Sequence, residues 1–311
     1  MGTPEFAVPS LEALVGGSWE IQAVITQPDR PRGRGQRMQY SPIKEVAREA
    51  GLEVLQPEKA SNPAFVEELK VLDPDAIVVV AFGQLIPPSI LDMPTYGCIN
   101  VHPSLLPRYR GASPIQQAII DGCRKTGVTT MLLDQGWDTG DILLQEEVDI
   151  TPEDTAETLE KRLAKVGARL LVNTLDRLAK GTLESRSQDD SQATYAYKLT
   201  KEAGQISWDA TTDEIINLIR GVTPWPGAFT FSRGTLLKVW EVAEVPGEKT
   251  DAPSGTVLGV RDDGIIVATG SGSISLRVVQ PPNRSRMGGR DYANGYHIDP
   301  GEILGGSLDG A

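Results

Sequence analysis

Through the first half of the chain, short apolar runs alternate with stretches whose apolar positions recur every three or four residues. Residues 21–25 read as a strand, and 41–50 as a helix with Pro42 near its start and Gly51 just past its end. A short strand at 53–55 and a helix at 63–72 follow. The valine-rich run 75–81 fits a strand buried on both faces. Residues 97–101 predict another strand, 113–121 a helix, and 128–133 a further strand. This β–α alternation predicts an α/β domain built on a doubly wound, mostly parallel sheet with helices on both faces.

Thr151-Pro152-Glu153-Asp154 has the composition of a helix start, and the apolar spacing from Leu159 through Leu178 keeps to one helical face until Gly181. The character then changes. Residues 184–193 are rich in Ser, Gln and Asp and read as a connector, which we place at 184–199 between a domain at 1–183 and a second at 200–311. Thr211-Thr212-Asp213-Glu214 has the spacing of a capping box for a helix to Arg220. Beyond it, short β-type runs separated by glycine-containing turns predict a small β-barrel of the OB-like kind.

Composition narrows the classes. The 311 residues are 40% hydrophobic and 23% charged, with no apolar run near the ~20 residues of a membrane helix and no secretory signal pattern, so a cytoplasmic protein is expected. The two cysteines, Cys98 and Cys123, have no metal-ligand spacing around them, and neither a disulfide framework nor a metal site is expected. A net charge of −12 argues against nucleic-acid binding over the whole surface and leaves room for a local basic element.

The chemistry concentrates in two segments. In 100–111, Asn-Val-His-Pro-Ser-Leu-Leu-Pro-Arg-Tyr-Arg-Gly, Asn100 and His102 stand two apart at a strand end and project to one face. In an open parallel sheet the ligand crevice lies beyond such ends. An amide there can donate to a developing oxyanion, and an imidazole can orient or exchange a proton. Asn-x-His alone fits equally a polar pair that satisfies a strand end. The second segment, 132–143, carries Asp134, Asp138 and Asp141 and is expected to leave the next strand at the same sheet edge. Its spacing is not that of a calcium loop, and a carboxylate beside the strand-end histidine reads better as a catalytic partner.

Asn-x-His-Pro-Ser-Leu-Leu-Pro followed by Asp-Thr-Gly-Asp resembles the folate-dependent formyltransferase family. The resemblance implies a Rossmann-like catalytic domain in which Asn100, His102 and Asp138 are catalytic. It implies folate contacts at Ser104, Leu105, Leu106 and Pro107, with residues 82–86 as a less specific further wall. Residues 2–9, 27–35 and 195–202, with Arg220 and Pro224-Trp225-Pro226, resemble the tRNA-acting branch. That branch implies transfer of the formyl group of 10-formyltetrahydrofolate to the amine of methionine carried on initiator tRNA, in translation initiation, without a metal. A monomer is expected.

Arg30, Arg32, Arg34 and Arg37 fall in one glycine- and proline-containing loop with no acid after Asp29. They read as phosphate contacts or as a solvated loop, and the resemblance supports entry at the acceptor end of tRNA. Arg277, Arg284, Arg286 and Arg290 form a second basic group, and 281–311 receives no role. Two rivals stay open: a formyltransferase acting on a sugar nucleotide or other small amine, and a non-catalytic nucleic-acid-binding barrel. Chains with this resemblance carry a short apolar strand before Gly2, whose place is between 21–25 and 76–80. The expectation is a chain truncated at its start, with an open slot or a strained closure between those strands.

Overall fold

The computed structural model describes residues 1–32, 37–247 and 250–306. In chain order the first elements are α1 (Val8–Val15), β1 (Val24–Ile25), β2 (Arg30–Arg32), β3 (Arg37–Gln39), α2 (Pro42–Glu49), β4 (Val54–Leu55), α3 (Pro63–Leu72), β5 (Ile77–Val79), α4 (Pro88–Leu91) and β6 (Cys98–His102). Next come β7 (Arg110–Gly111), α5 (Pro114–Ile120), β8 (Lys125–Leu132), β9 (Ile142–Asp149), α6 (Ala156–Ala179) and β10 (Tyr195–Ala196). The last are α7 (Thr212–Gly221), β11 (Ala228–Ser232), β12 (Thr235–Glu244), β13 (Val257–Arg261), β14 (Gly264–Ala268), β15 (Ser273–Gln280), β16 (Met287–Gly288) and α8 (Gly289–Tyr296). No described helix is long and apolar enough to cross a membrane.

Local chemistry explains the helix starts. Ser41 accepts the Lys44 amide ahead of Pro42, and Asn62 accepts the Ala64 amide ahead of Pro63. The capping box of α7 is complete: the Thr211 amide donates to Glu214 Oε2 at 2.8 Å, and the Glu214 amide to Thr211 Oγ1 at 3.2 Å. α6 begins later than Thr151-Pro152 suggests. Asp154 folds back to accept the Thr151 amide at 2.7 Å, and the Thr158 amide donates to Thr155 Oγ1 at 3.3 Å. These bonds close a turn first and leave Thr155 as the cap.

The described chain packs as two compact units. The first holds Met1–Pro114, Lys125–Asp149 and Leu159–Tyr197; the second holds Ile115–Arg124, Ile150–Thr158 and the described residues from Lys198 on. In the first unit β5, β6, β8 and β9 lie side by side in that order, and β1 pairs with β4. The pairs β1–β4 and β5–β6 are parallel. β8, however, runs antiparallel to both β6 and β9. A period of two and an apolar run mark a strand without giving its direction, so the parallel expectation holds for one side of the sheet only.

Met1 and Gly2 lie between β1 and β5. The Gly2 amide donates to Ile25 O at 2.9 Å, the Val80 amide to Met1 O at 2.9 Å, and the Met1 amine to Val78 O at 2.6 Å. They occupy that position only at its carboxyl end. Beside them is an open slot of about 440 Å³ lined by Ala23, Val24, Ala76, Ile77 and Val78, among others. On that side residues 21–23 have no ladder partner among the described residues, which accounts for the shortness of β1. Burial pushes the Met1 amine down to about 5.

The second unit is an antiparallel sheet in the order β11-β12-β15-β14-β13, with β16 on β15. Its core gathers Trp208, Ile215, Ile219, Leu237, Val239 and Val267, among others. Residues 301–305 run between the edge strands: the Leu304 amide donates to Gly255 O at 2.8 Å and the Gly305 amide to Phe231 O at 2.9 Å. This tail covers part of the β13 edge and touches β11 at one bond, a role the sequence reading leaves unassigned to 281–311.

Candidate active site

β6 sets the site. Gly167 of α6 stands so close to the sheet that a Cβ there would meet Val101 Cγ1 at 2.8 Å, so α6 covers the Val101 face. By strand alternation Asn100 and His102 point the other way. His102 is 4% exposed. Its Nε2 lies 3.0 Å from the Tyr109 carbonyl oxygen, which can only accept, so Nε2 carries the proton and Nδ1 is the nitrogen free to gain one. Nδ1 faces Asp138 Oδ1 at 3.7 Å. The half-buried Asn100 carboxamide has no hydrogen-bond partner among the described residues.

Asp138 does not arrive from the strand edge expected for it. Because β8 is antiparallel, the chain leaves it beside Cys98, with the Leu133 amide 2.7 Å from Cys98 O, and folds back to reach His102. The three acids of this loop separate by partner. Asp134 accepts from Thr139 Oγ1 at 2.8 Å and from the Gly136 amide at 2.9 Å, which shapes the loop. Asp141 accepts Ser185 and Ser187 hydroxyls, each at 3.0 Å. Only Asp138 faces the histidine, and it does so with a left-handed backbone, φ 55°. Its Oδ2 accepts the Gly111 amide at 2.8 Å.

The segment read as a connector lies along the first unit. β10 pairs in parallel with β7, Arg186 bridges to Ile142, and the Tyr109 amide donates to Thr194 Oγ1 at 2.9 Å. Gly111, at φ 120°, is required where this strap passes: a Cβ there would sit 2.6 Å from Ala196 O. The roles of Tyr109, Gly111 and the strap are invisible in the sequence because they act through backbone atoms.

Of the predicted folate contacts, Ser104 and Leu106 are buried at 0% and 3% exposure. Ser104 Oγ donates to Arg108 O at 2.6 Å, which locks the turn after β6. Leu105 and Pro107 are half-buried and keep free surface. Leu85, in the loop after β5, and Trp137, next to Asp138, are exposed.

The arginine loop is a hairpin. β2 and β3 pair with Arg30 opposite Gln39 and Arg32 opposite Arg37, Arg30 is exposed, and Arg34 lies outside the described residues. The hairpin's base is held at Asp29, which accepts from Lys44 and from Gln56 Nε2. Burial works against the Asp29 carboxylate, but the Lys44 and Gln56 hydrogen bonds hold it below its usual range. Cys98, expected as a core residue, is buried, and burial pushes its thiol up to about 12. Among the described residues, no group of three or more His, Cys, Asp or Glu could hold a metal ion.

Residues 1–175 match the formyl transferase family, and 198–297 match the formyl transferase C-terminal domain. The methionyl-tRNA formyltransferase of Caldanaerobacter subterraneus subsp. tengcongensis is 49% identical over 305 residues, which is 98% of each chain. Among solved structures, an N-formyltransferase from Helicobacter canadensis, in complex with folinic acid and dTDP-3-aminofucose, superposes with TM-score 0.66 at 19% identity, over 90% of this chain and 97% of its own. HypX from Aquifex aeolicus, in complex with tetrahydrofolic acid, gives TM-score 0.60 at 17% identity over 83% of this chain, which spans 45% of that protein. At these identities the two structures speak for the fold alone.

Proposed function

The chain belongs to the formyl transferase family, and we propose that it moves the formyl group of 10-formyltetrahydrofolate to the amino group of methionine on initiator tRNA. The observation that carries this reading is the 49% identity to a methionyl-tRNA formyltransferase over 98% of both chains. Formyltetrahydrofolate supplies an activated formyl carbon. The site suits it: an unpartnered amide at Asn100, a histidine whose Nδ1 faces Asp138, half-buried Leu105 and Pro107, and an exposed Trp137 next to Asp138 in the chain.

In formyl transfer, negative charge gathers on the formyl oxygen as the amine adds. Asn100 and protonated His102 are the donors placed to stabilise it. Tyr109 fixes the tautomer of His102, which leaves Nδ1 as the atom that takes or returns a proton. Asp138, 3.7 Å from that atom, stabilises the imidazolium and assists loss of the amine's proton. Ser104 and Leu106 shape the folate wall from below its surface, while Leu105 and Pro107 contact the ligand. Arg30, Arg32, Arg34 and Arg37 contact tRNA phosphates, and residues 200–311 form the tRNA-facing domain of an enzyme at work in the cytoplasm.

The test is single-turnover formylation of charged initiator tRNA, free methionine and an amino-sugar nucleotide by the wild type and by Asp138→Asn. Formylation of the tRNA alone, lost by a factor on the order of 10³ in the variant, is the expected result. Preference for the sugar nucleotide, or a variant that keeps most of its turnover, overturns the acceptor or the role of Asp138 respectively.

A further inference from the structure

Asp138 carries the reaction in the reading above from a backbone conformation that L-residues rarely adopt, φ 55°, and that persists only where the surroundings enforce it. The enforcing contact comes from the strap. The two amide hydrogens of Gln188 point to two carbonyls of the loop: Nε2 donates to Asp138 O at 2.8 Å and to Gly140 O at 2.7 Å. Its Oε1 accepts from Arg110 Nε at 3.0 Å and Nη2 at 2.9 Å. Arg110 is 2% exposed and continues to Asp190 Oδ1 at 2.7 Å. Arg110 is flanked by Tyr109, whose carbonyl holds His102, and by Gly111, whose amide holds the Asp138 carboxylate.

We propose that Gln188 is a positioning residue for the reaction: it clamps the main chain of Asp138 and ties it, through Arg110, to the segment that orients His102. The chemistry selects a primary amide. Two carbonyls require two donors on one side, and a guanidinium requires an acceptor on the other. Glutamate at this position would turn a carboxylate oxygen towards two carbonyl oxygens, and leucine would take this donor from both carbonyls and leave the buried guanidinium with Asp190 alone among the described residues. Gln188 is not among the residues read above as folate or tRNA contacts, so the loss belongs in turnover and not in binding. A misplacement of the carboxylate by about an ångström is worth up to ~10²-fold in rate.

The inference rests on Asp138 being catalytic, and a double-mutant cycle separates the two claims. Gln188→Glu and Gln188→Leu are measured in the wild-type and Asp138→Asn backgrounds by single-turnover formylation, with KM for folate and tRNA and urea midpoints alongside. The expected result is a 10- to 100-fold lower turnover with both KM values within about twofold. In the Asp138→Asn background the same substitutions change turnover less than about twofold, because the group they position is gone. Equal losses in both backgrounds, or unchanged turnover in the first, overturn the inference. Should Gln188→Leu not fold, the isosteric Gln188→Glu carries the comparison. An Asp138→Asn enzyme that keeps its turnover overturns the catalytic reading itself, whatever Gln188 does.

Discussion

Gly111→Ala is the substitution that most directly tests whether the strap is built into the first unit. The added Cβ would meet Ala196 O at 2.6 Å and Ala196 C at 3.3 Å, both backbone atoms that no rotamer change can move. Relief requires β10 to retreat from β7. That retreat breaks the bonds from the Ala112 and Ser113 amides to Ala196 O, now 2.9 and 3.1 Å, each worth ~1 kcal/mol. An alanine at φ 120° adds a further ~1–3 kcal/mol of backbone strain. The sum is about 3–5 kcal/mol, a large share of a typical domain stability of ~5–15 kcal/mol. Gly181→Ala is the control: its φ is 62°, and a Cβ there meets nothing within 4 Å, so only about 1 kcal/mol of strain is expected. Urea unfolding of both variants, read by midpoint and slope, gives the comparison. If the two variants lose stability equally within ~0.5 kcal/mol, the strap is not wedged against Gly111 and the account of the 184–196 segment fails.

Two further outcomes follow from burial. The Cys98 thiol, raised from 9.0 to about 12 by burial, stays protonated in the fold while the unfolded chain ionises above pH 9. The unfolded state therefore binds fewer protons there, so this group lowers stability as pH rises through 9 towards 12; Cys98→Ala should flatten that alkaline slope, and native protein at pH 8 should resist thiol reagents at Cys98. In β1 and β5 the Val24 amide donates to Glu53 O and the Ile77 amide to Gly97 O, so the alternating amides of Ala23 and Val78 face the slot. Hydrogen exchange should be faster at Ala23 and Val78 than at Val24 and Ile77, and equal protection would mean the slot is not open to water.

What was legible in the sequence follows from which atoms do the work. Asn100, His102 and Asp138 are picked out by side chains of distinctive type at short spacing, and the structure brings His102 and Asp138 within 3.7 Å. The capping box of α7 is equally a side-chain signal, and it forms as read. The direction of β8 is not legible, since antiparallel and parallel strands share one pattern, and so the Asp138 loop leaves the opposite sheet edge from the one expected. Nor could the three acids of that loop be sorted by spacing. Asp134 and Asp141 differ from Asp138 only in having hydroxyl partners, two of which lie more than forty residues away, in the strap.

The strap itself exposes the limit. Residues 184–193 read as a connector because they are polar and aperiodic, and polarity is what a linker and a hydrogen-bonding brace have in common. Gln188 offers donors and an acceptor to backbone carbonyls and a guanidinium, none of which leaves a mark in the local composition. Buried arginine is the one feature that hints at it. Arg110 stands next to Gly111 in a segment otherwise read for its folate contacts, and a guanidinium at 2% exposure must find acceptors within the protein. It finds Gln188 and Asp190. The polar run thus satisfies a buried charge and, by the same bonds, holds the loop on which Asp138 is presented to His102.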